Sequence, residues 1–324
     1  MPTSRTASSH DWPSITVLVV SYWSTFYLNY LYRNLHERAS GKSNVAFVIV
    51  DNTHGADSRL HEFIESKPDV ELMMPSPHNL KGAQGHAAAL DHAMGFMASD
   101  YTLICDPDVY VFQSDWDTFL INQLADHNAD SIGVPYPSWR VGTYHDFPSP
   151  VFHFFRTSAL ASLDIPWKPF ATKKHEKLLN FLGRQIMRFG GLINRERFVK
   201  YHLLREYASR AERLLGVRAP DTGYLIANAA RVSGLRRVML DLVERYHPDW
   251  AQLLNSHSIR ELAQQYELYL YKGRPILTHK YGTSAWIWRT SKGRDKGYWI
   301  KMIELAEQEL DNKKQQRQPM TGHD

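Results

Sequence analysis

Four short apolar runs, each ending in polar residues, constrain this chain more than any other feature. They are "ITVLVVSYWS" (15–24), "VAFVIVDNTHGAD" (45–57), "VELMMP" (70–75) and "YTLICDPDVYVF" (101–112). Short continuous runs rich in β-branched residues are the pattern of strands buried on both faces of a parallel sheet. Helical patterns separate them. Leu28, Leu31, Tyr32 and Leu35 fall at helical spacing within 25–38, and a second helix is expected over 57–66. In "NLKGAQGHAAALDHAMGFMAS" (79–99) a glycine-containing turn opens an Ala-rich helix. Alternating strands and helices predict an α/β fold, with a parallel sheet covered on both faces. Such sheets bind ligands beyond the carboxyl ends of their strands. Ser21-Tyr22, Asp51-Asn52 and Asp106/Asp108 would therefore gather at one rim, where a carboxylate can face a site without being buried unpaired.

The pattern after residue 112 is less regular. "DSIGVPY" (130–136) and "SPVFHFFRTSAL" (149–160) predict two more strands. Residues 172–216 read as a basic helical hairpin, broken at Gly190-Gly191. Leu178, Leu182, Ile186 and Phe189 line one face of its first arm, and Val199, Leu203, Tyr207, Ala211 and Leu214 line the second. "DTGYLIANAARVSG" (221–234) reads as a helix closed by Gly234. "LYLYKGRPILTHKYGTSAWIW" (268–288) reads as β structure turning at Lys272-Gly273, and a polar helix is expected over about 297–312. These boundaries divide the chain into a disordered lead-in (1–13), a first half (14–167), a basic insertion (168–218), a second half (219–312) and a flexible tail (313–324).

Charge is unevenly placed. Residues 168–218 hold 13 Lys/Arg against 4 Asp/Glu, a net of +9, while the whole chain holds 38 against 34; the rest is therefore 25 against 30, a net of −5. A basic insertion on a slightly acidic body is a prior for an anionic partner. The polar N-terminus lacks the apolar segment of a secretion signal. No apolar run approaches the roughly 18 residues of a spanning helix. With the single Cys105, which suits a reducing compartment, this leads to the expectation of a cytoplasmic chain, or one peripheral at the inner face of a membrane.

Asp106-Pro107-Asp108 is the stretch that carries chemistry. Two carboxylates one residue apart suit a hard divalent cation, since Mg²⁺ takes one or two carboxylates and leaves other positions to water and phosphate oxygens. Pro107 restricts the backbone between them. The tripeptide alone is weak: Asp115-Trp116-Asp117 repeats the spacing after no strand and reads as a helix cap. What singles out Asp106 and Asp108 is their place behind the fourth apolar strand, and an ordinary strand-end turn is the competing reading.

Taken in order, "VLVVSYWS", "FVIVDNTHGAD", "NLKGAQGHAAALDHA" and "YTLICDPDVYVF" resemble the nucleotide-sugar half of family 2 glycosyltransferases, which have the GT-A fold. The resemblance implies a Rossmann-like, mostly parallel sheet flanked by helices, here with a basic helical insertion. It implies that Ser21, Tyr22, Asp51 and Asn52 contact base and ribose, with Asn79, Gly82, His86 and Asp106 completing the nucleotide-sugar site. It implies that Asp106 and Asp108 form a DxD-type motif holding Mg²⁺ or Mn²⁺ on the diphosphate of a UDP-, GDP- or dTDP-linked donor. Further along, "APDTGYLIANAARVSG" falls where the family carries its catalytic base, which places Asp221 in that role. "LTHKYGTSAW" resembles the late segment in which a histidine completes the metal site, here His279, with Gly282 and Ser284 behind it. The activity implied is inverting, metal-dependent transfer to a hydroxyl acceptor, a glycan or lipid-linked glycan.

The sequence departs from the family where Ala87-Ala88-Ala89 replaces an expected Asn, and where Pro220 stands before Asp221. Each assignment has a plainer rival: Asp221 as a helix N-cap, Asp51 as a cap of the next helix, His279 as a loop histidine, His86 as part of a helix N-terminus. Cys105 reads as a small core residue, and the aromatics of "YGTSAWIWRT" as either an acceptor platform or core. The insertion reads as a membrane-surface hairpin, a nucleic-acid groove with a modified base as acceptor, or a solvated helical cover. A nucleotidyltransferase would open with a glycine-rich loop after the first strand, and "SYWSTFYLNY" has none. A non-catalytic nucleotide-sugar-binding module is the remaining rival.

Overall fold

The structure is a computed structural model. It describes residues 12–73, 80, 82–168, 174–244, 256–280 and 291–317, the last five by backbone alone. The four apolar runs form β1 (Ser14–Ser21), β2 (Asn44–Asp51), β3 (Val70–Met73) and β4 (Tyr101–Cys105). They lie in the order β3-β2-β1-β4, all parallel. Helices α1 (Thr25–Glu37), α2 (Ser58–Glu65) and α3 (Ala83–Met94) connect them. Alternate strand residues enter different cores. Val17, Val19, Phe47, Ile49 and Leu103 pack with Leu28, Leu31 and Leu35 of α1. Leu18, Val20, Val48, Val50 and Ile104 pack with Ala87 and Leu90 of α3. Burial on both faces is why these strands lack polar alternation.

β5 (Val109–Val111) follows β4 but leaves the sheet. After α4 (Trp116–Asp126) come β6 (Ser131–Gly133), β7 (Phe152–Arg156) and the short α5 (Thr157–Ala161). β7 lies antiparallel beside β4, β6 antiparallel beside β7, and β8 (Arg237–Met239) parallel beside β6, giving seven strands in a mostly parallel sheet. Asp117 does not face a ligand. It is buried and accepts from the Ser40 amide and hydroxyl and from Ser43, so Asp117 fastens a loop.

A second sheet has the order β5-β11-β10-β9, all antiparallel, with β9 (Asp241–Leu242), β10 (Glu267–Tyr271) and β11 (Arg274–His279). The expected turn at Lys272-Gly273 has positive φ at both residues, 48° and 75°, the two-residue hairpin geometry that glycine favours. α10 (His257–Gln265), α11 (Ser291–Arg294) and α12 (Lys296–Arg317) complete this half. Trp299, Met302 and Ile303 pack with Leu262, Leu268 and Leu270. Helix α12 runs on to Arg317, into the expected tail, because its Lys- and Gln-rich end is made of good helix formers. The lead-in up to residue 11 and the last seven residues lie outside the described residues.

The insertion is helical but not a simple hairpin. It comprises α6 (Lys174–Met187), the short α7 (Arg195–Lys200) and α8 (His202–Leu215), followed by α9 (Tyr224–Ser233). Its buried contacts are made by Met187, Ile193, Phe198, Ala208 and Ala211 against Trp139 and Val141. Most of the apolar face of each arm turns outward: Leu178, Leu182, Ile186, Phe189, Leu203 and Leu214 are all exposed, while Ala211 is buried. Small residues at Gly183, Ala208 and Ala211 make the inner contacts and leave the long aliphatic side chains outside. Among the described residues no helix is long and apolar enough to cross a membrane.

Candidate metal and nucleotide-sugar site

The Asp106-Pro107-Asp108 turn is the seam between the two sheets. The Asp106 amide still donates to Val151 O at 3.0 Å beside β7. Three residues later Val109 pairs with His279 of β11. The Lys280 amide donates to Asp108 O at 2.9 Å and fixes the register. The strand that ends in the carboxylates therefore hands the chain directly to the strand pair that brings His279. His279 Nε2 lies 3.2 Å from Asp108 Oδ1 and 3.5 Å from Asp106 Oδ2. One ligand atom from each of Asp106, Asp108 and His279 lies within 4.8 Å of the others.

Glu267 completes the arrangement from behind. Its Oε2 lies 2.8 Å from His279 Nδ1 and accepts from Tyr269 Oη at 2.9 Å, and the residue is buried. Glu267 faces His279 across the hairpin because of a bulge. The ladder runs Tyr271 to Arg274 and Leu270 to Pro275, then skips one residue to pair Tyr269 with Leu277. The skipped Ile276 gives its carbonyl to the Phe112 amide at 2.7 Å. A regular ladder from the same turn would set Thr278 opposite Glu267 and send His279 to the other face.

Burial lifts the Asp106 carboxyl above the ordinary range, with His279 and His86 pulling against it and Asp108 and Glu267 adding to the rise. Burial opposes the charged form of His279, yet Asp108 and Glu267 outweigh it and raise the imidazole to about 10. At neutral pH a proton on His279 thus balances charge at the cluster, and a cation binding there displaces it. Two carboxylates and one imidazole, with a carboxylate on the imidazole's far nitrogen, fit a divalent cation. The side chain of Asp106 is 29% exposed, so the cluster has an open side. Cys105 is buried behind it, its thiol pushed up by burial first and then by Asp106 and Asp108, which makes it the core residue expected.

The other rim residues divide into two groups. Tyr22 is exposed at the end of β1, and His86 Nε2 in the first turn of α3 stands 4.0 Å from Asp106 Oδ1. Asn52 faces α3: a Cβ on Gly85 would lie 3.2 Å from Asn52 Nδ2 and 2.6 Å from Leu80 O. Gly82, with φ 59°, is the N-cap residue of α3. Ser21 and Asp51 are brought to the rim but are turned inward. Ser21 Oγ is 2.9 Å from Ser24 Oγ. Asp51 accepts from the Thr53 amide and hydroxyl and from the Gly55 amide, closing its own turn. Asn79, Gly282, Ser284 and the aromatics of 281–290 lie outside the described residues.

Asp221 is not the N-cap of α9, a position held by Gly223. One carboxylate oxygen accepts from the Thr222 amide at 2.8 Å, and the other is paired with Arg140, whose guanidinium lies 4.4 Å over the Tyr136 ring. The Thr222 hydroxyl donates to Ala83 O at 3.2 Å and ties this corner to the start of α3. Burial raises Tyr136 far above an ordinary phenol, and both Asp221 and Asp106 add to the rise.

No family model and no curated protein matches the sequence. Among solved structures, glycosyltransferases align with parts of the chain. The mannosyltransferase PcManGT from Pyrobaculum calidifontis, in complex with GDP-Man and Mn²⁺, is 13% identical over 78% of this chain and 86% of its own, with a TM-score of 0.39. S. aureus TarS 1–349 in complex with UDP is 14% identical over 78% of this chain and 81% of its own, also at 0.39. In complex with UDP-GlcNAc the match spans about half of each chain, 48%, at 15% identity and a TM-score of 0.36. At such distances the chemistry rests on this chain's own side chains.

Glu267, Arg140 and Tyr136 were not among the residues expected from sequence. A signal existed for Glu267, a lone acid opening the otherwise apolar strand "ELYLY" near a turn that returns to His279. Arg140 lies 81 residues from Asp221, and no local pattern links them.

Proposed function

We infer that this chain is a glycosyltransferase that uses a nucleotide-diphosphate sugar. The observation that carries the reading is the cluster of Asp106, Asp108 and His279 at the end of β4, on the rim where β1 and β2 also end. Those three residues would hold Mg²⁺ or Mn²⁺, which supplies charge neutralisation for a leaving diphosphate. His86, in the first turn of α3, stands 4.0 Å from Asp106, and a helix N-terminus favours phosphate oxygens. Tyr22 and Asn52 take base and ribose; Ser21 and Asp51 shape the loop that carries them. Asp221, held by Arg140, takes the proton of an acceptor hydroxyl as its oxygen bonds to the anomeric carbon and the bond to the diphosphate breaks. That single displacement inverts the anomeric centre. A glycan or lipid-linked glycan is the acceptor class assigned.

Hydrolysis of UDP-, GDP- and dTDP-linked sugars with Mn²⁺ tests this without knowledge of the acceptor. One donor is expected to be turned over, and EDTA or Asp108→Asn should abolish turnover while the thermal melt is kept. Undiminished turnover in either condition overturns the assignment of the cluster.

A further inference from the structure

We propose that the outward face of α6 and α8 is a docking surface for an anionic lipid bilayer. It lies outside the site described above and does not depend on the transfer reading. On α6, Leu178, Leu182, Ile186 and the following Phe189 recur three or four apart and are exposed. On α8, Leu203 and Leu214 are 82% and 86% exposed, with Tyr207 on the same face between them. The two faces are continuous. Tyr207 Oη donates to Ile186 O at 2.8 Å, and the Phe189 and Tyr207 rings meet edge to face at 5.5 Å. A groove of about 550 Å³ runs along the join, lined chiefly by Ile186, Leu203, Tyr207, Ala211, Leu214 and Leu215. Monomeric proteins seldom leave so many large aliphatic side chains together in water.

Charge selects the occupant. Lys174, Lys177 and Arg184 are exposed on α6, as are Arg213 and Arg210 on α8, the last paired with Glu206 at 3.0 Å. The insertion as a whole holds 13 Lys/Arg against 4 Asp/Glu. A second copy would bring two insertions, each of net charge +9, against each other. A nucleic acid would meet the cations, but Leu178, Leu182, Leu203 and Leu214 can neither stack on bases nor hydrogen-bond to them. A bilayer interface satisfies both halves: aliphatic side chains sink below the headgroups while Lys and Arg meet anionic lipid.

Vesicle flotation of the full-length chain tests the proposal. Vesicles of phosphatidylcholine alone and vesicles containing phosphatidylglycerol are compared at low and high salt. Binding is expected to the anionic vesicles and to weaken with salt. Lys177→Gln, Arg184→Gln and Arg213→Gln together should weaken it by roughly a hundredfold. Leu182→Asp with Leu214→Asp should weaken it by about tenfold or more. All five side chains point outward, and an unchanged thermal melt checks the fold. The proposal is overturned if the chain binds neither vesicle at low salt, or if neither variant set alters binding. It is equally overturned if DNA binds more tightly than anionic vesicles, or if Leu214 is needed for a dimer in solution rather than for flotation.

Discussion

At Glu267 one carboxylate oxygen accepts from Tyr269 Oη and also lies on His279 Nδ1, so its contact with the candidate cation site runs through the imidazole. It is a positioning residue. Glu267→Gln removes that charge while keeping the shape. Such outer partners typically matter by about 10- to 100-fold in metal affinity, and Mn²⁺ titration should show a loss of that order. Metal-free nucleotide binding should stay unchanged, and an equal loss in both would show that Glu267 merely supports packing. Asp221 belongs to the same scale. Asp221→Asn keeps the Thr222 contact geometry but removes the proton acceptor, so transfer should fall by about 10² to 10⁴. Donor binding should survive, and the product anomer of the parent protein should be inverted. A product of retained configuration would exclude a direct role for Asp221 in a single displacement.

Helix α3 shows how an element is held against its site. Its start is set by Gly82 in the left-handed region, and its first turn passes so close to Leu80 that only hydrogen fits at Gly85. A methyl at Gly85 would meet Leu80 O at 2.6 Å, which forces the helix away from the rim. Gly85→Ala should cost about 1–3 kcal/mol, the range for overpacking, and should also weaken donor binding, because His86 and Asn52 ride on the same contact. Gly95→Ala is the comparison. Its new Cβ would lie 3.5 Å from His92 O at an ordinary backbone angle, so urea denaturation should find it near neutral or mildly stabilising. Equal effects at the two glycines would remove the steric account of Gly85.

For the molecule as a whole, two buried histidines set opposite pH limits. His153 is buried among aromatic rings, and burial alone lowers it to about 3. An unfolded histidine titrates near 6.5. Between about 6.5 and 3 the unfolded chain therefore takes up a proton that the folded chain refuses, and stability falls with acid. His279 works the other way. Its folded value of about 10 lies above the unfolded one, so its contribution is complete below about 6.5 and is lost as pH rises toward 10. Metal-free thermal melts across pH should fall on both sides. His153→Leu should flatten the acid side and leave the alkaline side in place. Mn²⁺ affinity should rise with pH over the same alkaline window, since the cation must displace the His279 proton. A flat alkaline limb together with a pH-independent Mn²⁺ affinity would contradict the protonated state of His279.

Strand positions were legible in the residues because burial on both faces leaves a continuous apolar run that nothing else explains as well. So were the rim residues Asp106 and Asp108, and the hairpin turn at Lys272-Gly273, since these are local patterns. The sequence could also show that residues 168–218 are helical and basic. It could not show which way their apolar faces turn: that was settled by Gly183, Ala208 and Ala211, which pack inward and leave Leu178, Leu203 and Leu214 outside. Nor could it show that β5 leaves the first sheet to pair with β11, bringing His279 to Asp108. The single extra residue at Ile276, which sets Glu267 opposite His279, depends on the Phe112 amide that captures its carbonyl from a strand 164 residues away in sequence. Local periodicity decides which residues form strands and helices. Register across long separations is decided by hydrogen bonds that exist only once the two sheets are in place.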